Sequence, residues 1–108
     1  MDKSLHEKLI TIEASLPEIE KQLSEIDISR DQKAYAEMAK KHSDVSTIVE
    51  LFVEWKDINL EIADAEELLQ SESDEEMKAE FEGIISENKS KLDPLIQKIK
   101  ISLLPKDP

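Results

Sequence analysis

From Leu5 the apolar residues Leu5, Leu9, Ile12, Leu16, Ile19, Leu23 and Ile26 fall at alternating spacings of four and three. That rhythm places every one of them on a single seam of an α-helix, the pattern by which helices pack in bundles and coiled coils. Pro17 interrupts it without shifting its phase, so one helix bent at Pro17 is expected, with Ser15 and Glu18 as a capping box there. Strands need β-branched and aromatic residues and hairpins need turn glycines. With one Gly and four aromatics in 108 residues, this chain has little to build a sheet from.

Two further helices follow the first. Ser29 with Gln32 reads as a capping box opening the second. On it Tyr35, Met38, His42, Val45, Val49 and Phe52 form one stripe, and Ile48, Leu51, Trp55, Ile58, Ile62, Ala65 and Leu69 form another. A stripe that changes face midway suits a helix with one neighbour near its start and another further on. Ser43 to Thr47, with Thr47 and Glu50 as a cap, offers the alternative of a break. Val53 lies outside both stripes and marks a candidate second packing surface.

The polar run Gln70 to Glu76 reads as a turn, with Ser73 as N-cap and Glu76 as its partner three residues on. The third seam is Met77, Phe81, Ile85, Asn88, Leu92, Leu95, Ile99 and Leu103. Asn88 in it is either a polar contact that fixes register or a solvent-facing residue. The expected fold is all-α: an elongated antiparallel three-helix bundle of helices about 35, 55 and 45 Å long. Residues 1–104 form the helical domain, and 105–108, with Pro105 and Pro108, begin a linker.

Chemistry is hard to find in this pattern. The absence of Cys removes disulfides, thiolate nucleophiles and thiolate metal sites, and fits a cytosolic protein. Met1 to Glu20 carries charges throughout and is no signal peptide, and no apolar run is long enough to span a bilayer. His6 and His42 lack ligand partners at helical spacing, and the Asp57 to Glu61 run has a calcium-loop rhythm without that loop's Gly or closing Glu. The carboxylate pairs Glu50/Glu54, Asp57/Glu61 and Glu76/Glu80 fall on faces the seams leave to solvent, unlike catalytic pairs, which need a pocket. No nucleophile elbow or phosphate loop occurs. An enzyme is not expected, and neither a cofactor nor a metal is required.

Charge is the remaining signal. The chain carries a net charge of −12, and residues 50–87 alone hold 14 acids against two lysines. Such a surface repels phosphate backbones and suits a basic protein partner. It equally serves solubility. The candidate partner-binding residues are Glu61, Asp64, Glu66 and Glu67.

Several stretches carry a resemblance. Asp31-Gln32, Phe52-Val53-Glu54-Trp55, Asp74-Glu75-Glu76-Met77 and the ending Leu103-Leu104-Pro105-Lys106-Asp107-Pro108 resemble the N-terminal helical domain of bacterial class I peptide chain release factors of the UAA/UAG-reading kind. The resemblance covers nearly the whole chain. Pro17 and Pro94 depart from the family's pattern. It implies a part in translation termination, in which later domains read the stop codon and promote peptidyl-tRNA hydrolysis through a Gly-Gly-Gln loop. Neither recognition element occurs here, so no catalytic residue is carried over. The implied partners are the ribosome, through the factor-binding region and stalk base of its large subunit, and the GTPase release factor. A glutamine methyltransferase would act on the parent protein. The reading frame is then expected to continue past Pro108. The rival from another class is a free-standing acidic coiled-coil scaffold or dimerisation module.

Overall fold

The computed structural model describes residues 1–105. Among them it has three helices and no strand: α1 (Lys3–Glu25), α2 (Gln32–Ser71) and α3 (Glu75–Ser102). The protein is an all-α helical bundle. Of the expected linker only Pro105 falls among the described residues.

The seams decide what is buried. No residue of the α1 seam is exposed, and Leu9 and Ile19 are buried outright. In α2 both stripes are buried or half-buried throughout, and in the third seam only Met77 is exposed. α1 continues through Pro17 as a single helix. α2 is also continuous over 40 residues, so the break considered at Ser43 to Thr47 does not occur. There the Thr47 hydroxyl donates to the Ser43 carbonyl at 3.0 Å, serving the helix interior instead of capping a new start.

The chain divides into two compact units. The first is Met1–Glu50 with the described residues from Ser102 to Pro105, and contains α1 and the first half of α2. The loop between them is short. In it Asp27 Oδ1 accepts from both the hydroxyl and the amide of Ser29, which holds the Asp27 carboxyl below its ordinary range. Across this unit His42 Nε2 lies 3.3 Å from Glu20 Oε2, a pairing of late α1 with early α2 that requires the two to run antiparallel. His42 is thus a half-buried seam residue with a polar partner.

The second unit is Leu51–Ile101, the remainder of α2 with nearly all of α3. Its core holds Phe52, Ile58, Ile62, Ala65, Leu95 and Ile99. Glu66 and Leu69 lie across a groove from Glu82, Ile85 and Lys89, while Glu54 and Ile58 share a smaller one with Ser90, Pro94 and Lys98. Later α2 therefore meets earlier α3, and these segments too are antiparallel. Asn88 is buried, and its Nδ2 donates to the Ile84 carbonyl at 3.0 Å. Of the two roles weighed for it, the solvent-facing one is ruled out.

Three expected caps are placed differently. The Ser15 hydroxyl donates to the Ile12 carbonyl at 2.6 Å, so it bonds backwards inside an uninterrupted helix and caps nothing. α2 is capped by Asp31, which accepts from Ala34 N at 3.0 Å, because Ser29 is already engaged with Asp27. α3 is capped by Asp74, which accepts from Glu76 N at 3.0 Å, while Glu72 takes the amides of Ser73 and Asp74. A carboxylate at the positive helix end gains from the dipole as well as from the hydrogen bond, which favours Asp over its neighbouring Ser. Asp74→Ala is accordingly expected to cost about 1 kcal/mol. Ser73→Ala should change nothing beyond measurement error. Urea unfolding of the two variants followed by circular dichroism separates them, and equal losses would return the cap to Ser73.

Candidate functional site

The search for a site begins with what the core leaves over. Once Ile58, Ile62, Ala65 and Leu69 have turned inward, a helix of 3.6 residues per turn must present Val53, Asp57, Leu60, Asp64 and Leu68 on the opposite side. All five are exposed, the three apolar ones at 39%, 61% and 51%. Glu61 and Glu67 flank this row and are exposed too. At the end of α2, Asp64, Glu67, Leu68 and Ser71 line a shallow depression of about 390 Å³. Asp57 and Glu61 stand four residues apart, and Glu61 and Asp64 three. Like charges at these spacings cost a few tenths of a kcal/mol each. Among the described residues no ion pair offsets them.

The four candidate residues therefore separate. Asp64 and Glu67 share the outward depression of α2, and Glu61 borders the outward row at the edge of the core stripe. Glu66 lies on another side, where with Leu69, Glu82, Ile85, Ser86 and Lys89 it lines a groove of about 440 Å³ against α3. Sequence reasoning missed this division, and it missed Leu60 and Leu68 altogether. The signal was present in the spacing of seven and eight from Val53 to Leu60 to Leu68.

The carboxylate pairs considered for acid–base work, Glu50/Glu54, Asp57/Glu61 and Glu76/Glu80, are all exposed. None has an enclosing pocket of the kind that separates a general acid from a general base. Among the described residues no group of three His, Asp or Glu is placed to hold a metal ion, and no helix is long and apolar enough to cross a membrane. What this surface can do chemically is attract and orient a cationic partner.

An all-α helical bundle with an acidic helix face is the class that the fold and this surface define. Comparison with known proteins places it more closely. The PCRF domain family matches residues 12–108, and the chain belongs to that family. It is similar to peptide chain release factor 1 of Clostridioides difficile (36% identical over 94% of this chain and 28% of that protein) and of Mesoplasma florum (36% over 100% and 30%). Peptide chain release factor 1 of Nitratidesulfovibrio vulgaris is 35% identical over 94% of this chain and 28% of its own length. The chain thus spans under a third of the length of the curated relatives it matches. No solved structure matches it.

Proposed function

We propose that this chain is the N-terminal docking arm of a cytoplasmic peptide chain release factor of the UAA/UAG-reading kind. The observation that carries the reading is the family match over residues 12–108, joined to 36% identity along the entire chain with a protein named peptide chain release factor 1. In this reading the arm supplies no chemistry. Codon reading and peptidyl-tRNA hydrolysis reside in the remaining two-thirds of the parent protein, with its Gly-Gly-Gln loop and the methyltransferase that modifies it. The arm's part is to present a carboxylate-rich helix to the factor-binding region of the large ribosomal subunit and to the GTPase release factor. Charge of this kind mainly raises the association rate, and salt suppresses it.

A chimera tests the proposal. This chain is put in place of the matching region of the Clostridioides difficile release factor, and peptide release is measured on ribosomes stopped at UAA, UAG and UGA. Release at UAA and UAG within about threefold of the parent is expected. Changing Glu61, Asp64 and Glu67 to Lys should slow ribosome association about tenfold at low salt, with the difference vanishing at about 0.5 M salt. Glu66→Lys should do less, since it faces α3. A folded chimera that binds no ribosome would sink the docking arm, and dimerisation of the 108-residue chain at micromolar concentration would favour the scaffold reading.

A further inference from the structure

The outward row of α2 is more than an acidic patch. Scattered exposed apolar residues are ordinary, but Val53, Leu60 and Leu68 lie on one side of one helix, each within about a turn of a carboxylate. Their spacing of seven and eight repeats, on the solvent side, the rhythm by which α2 already packs its core. A helix that carries a second seam after its first is filled has room for one more helix alongside.

The charges flanking that seam say which kind. From Glu50 to Ser71, α2 holds seven acids and one cation, Lys56. The Lys56 ammonium sits over the Phe52 ring, 4.7 Å from its centroid, beside the core and not out along the row. A second copy of the chain would bring the same carboxylates against each other, at a net charge of −12 on each partner. Nucleic acid would set phosphates against them. A basic helix meets neither penalty.

We propose that Val53, Leu60 and Leu68, flanked by Asp57, Asp64 and Glu67, seat an amphipathic helix of a partner protein. That helix presents leucine-type residues at heptad spacing between lysines or arginines, over about four turns, the 22 Å from Val53 to Leu68. The proposal deepens the docking-arm reading and rests on it for the existence of a protein partner. Specificity comes from the apolar seam and encounter rate from the carboxylates.

The test uses the 108-residue chain and a fluorescent helical peptide of about 20 residues, with Leu at the seam positions and Lys elsewhere. An oligolysine of equal length, a single-stranded RNA and sedimentation of the chain alone are the comparisons. The Leu/Lys peptide is expected to bind at least about tenfold more tightly than oligolysine at 0.3 M salt, where pure charge attraction is largely screened. The double variant L60Q/L68Q should bring it down to the oligolysine level. Both leucines are more than half exposed, so its thermal melt should match that of the unaltered chain, and amide shifts on peptide binding should centre on 53–71. Leucine-independent binding, shifts centred elsewhere, tighter binding of the RNA, or self-association abolished by L60Q/L68Q would each overturn the proposal. The chimera keeps the two readings apart. Peptide release by the chimera beside leucine-independent peptide binding would remove the seam and spare the arm, and a silent chimera beside leucine-dependent binding would do the reverse.

Discussion

Phe52→Ala is expected to lower the unfolding free energy by about 3–5 kcal/mol, among the largest losses a single truncation in this chain can produce. Phe52 is 1% exposed and is among the largest fully buried side chains. Its ring stacks on Trp55 with centroids 6.0 Å apart and planes 16° from parallel, and it carries the Lys56 ammonium on its face. Truncation removes the buried area, leaves a cavity, and takes away the ring's contacts with the indole and the ammonium. At about 4–8 °C per kcal/mol for domains near this size, the melting midpoint should fall by roughly 12–40 °C. Val53→Ala is the control. It lies one residue further along the same helix but turned to solvent, and should cost no more than about 0.5 kcal/mol. Thermal unfolding of both variants by circular dichroism decides the matter, and a Phe52→Ala loss under 1 kcal/mol would mean that the ring does not hold this core together.

Phe52 also explains why so much of the fold was legible. It belongs to the first α2 stripe and stands beside the second, and the residues of both stripes are buried or half-buried. Helical period is a property of the chain alone, so α1, α2 and α3 and their inward residues follow from spacing. Caps do not follow as well. Ser29, Asp31, Ser73 and Asp74 are all competent capping residues, and the choice among them turns on which hydroxyl or carboxylate is already engaged, a matter of local geometry. The serine signals misplaced both helix starts for that reason, as Ser15 did by suggesting a cap inside an unbroken helix.

The candidate site was half legible. Acidic density between residues 50 and 87 is visible as composition, and the exposure of Glu61, Asp64, Glu66 and Glu67 follows from their lying off the seams. Which of them act together was hidden, because it depends on where α3 lies. Only with Ile85 and Lys89 set opposite Leu69 does Glu66 part from Glu61, Asp64 and Glu67. Leu60 and Leu68 escaped notice for a related reason. In a helix as apolar as α2 an outward leucine looks like one more core residue until the core is known to be full.

Asn88 supplies the second large effect, and its sign depends on pH. Its Nδ2 donates to the Ile84 carbonyl inside a buried seam. Asn88→Asp keeps the shape but, above the carboxylate range, exchanges that donor for a buried charge, at a cost of about 3 kcal/mol or more at pH 7. Burial disfavours the ionised form, so the folded-state pKa of the new carboxyl lies above its unfolded value of about 3.9. The folded state then binds the proton more tightly, and the variant's stability relative to its parent is greatest below the unfolded pKa and is lost as pH rises through the folded one. Near pH 3.5 the protonated carboxyl can donate to Ile84 as the amide does, and the two proteins should converge to within about 1 kcal/mol. Asn88→Leu carries no titration and fills similar volume, so it should match or exceed the parent in stability at every pH. Its readout is specificity: if Asn88 fixes the register of α3 on α2, the leucine variant keeps its helicity and melting point while its amide spectrum broadens into several packings. A sharp single set of resonances would reduce Asn88 to a tolerated polar residue, and urea titrations of the aspartate variant that run parallel to the parent from pH 3.5 to 7 would show that position 88 is not buried in solution.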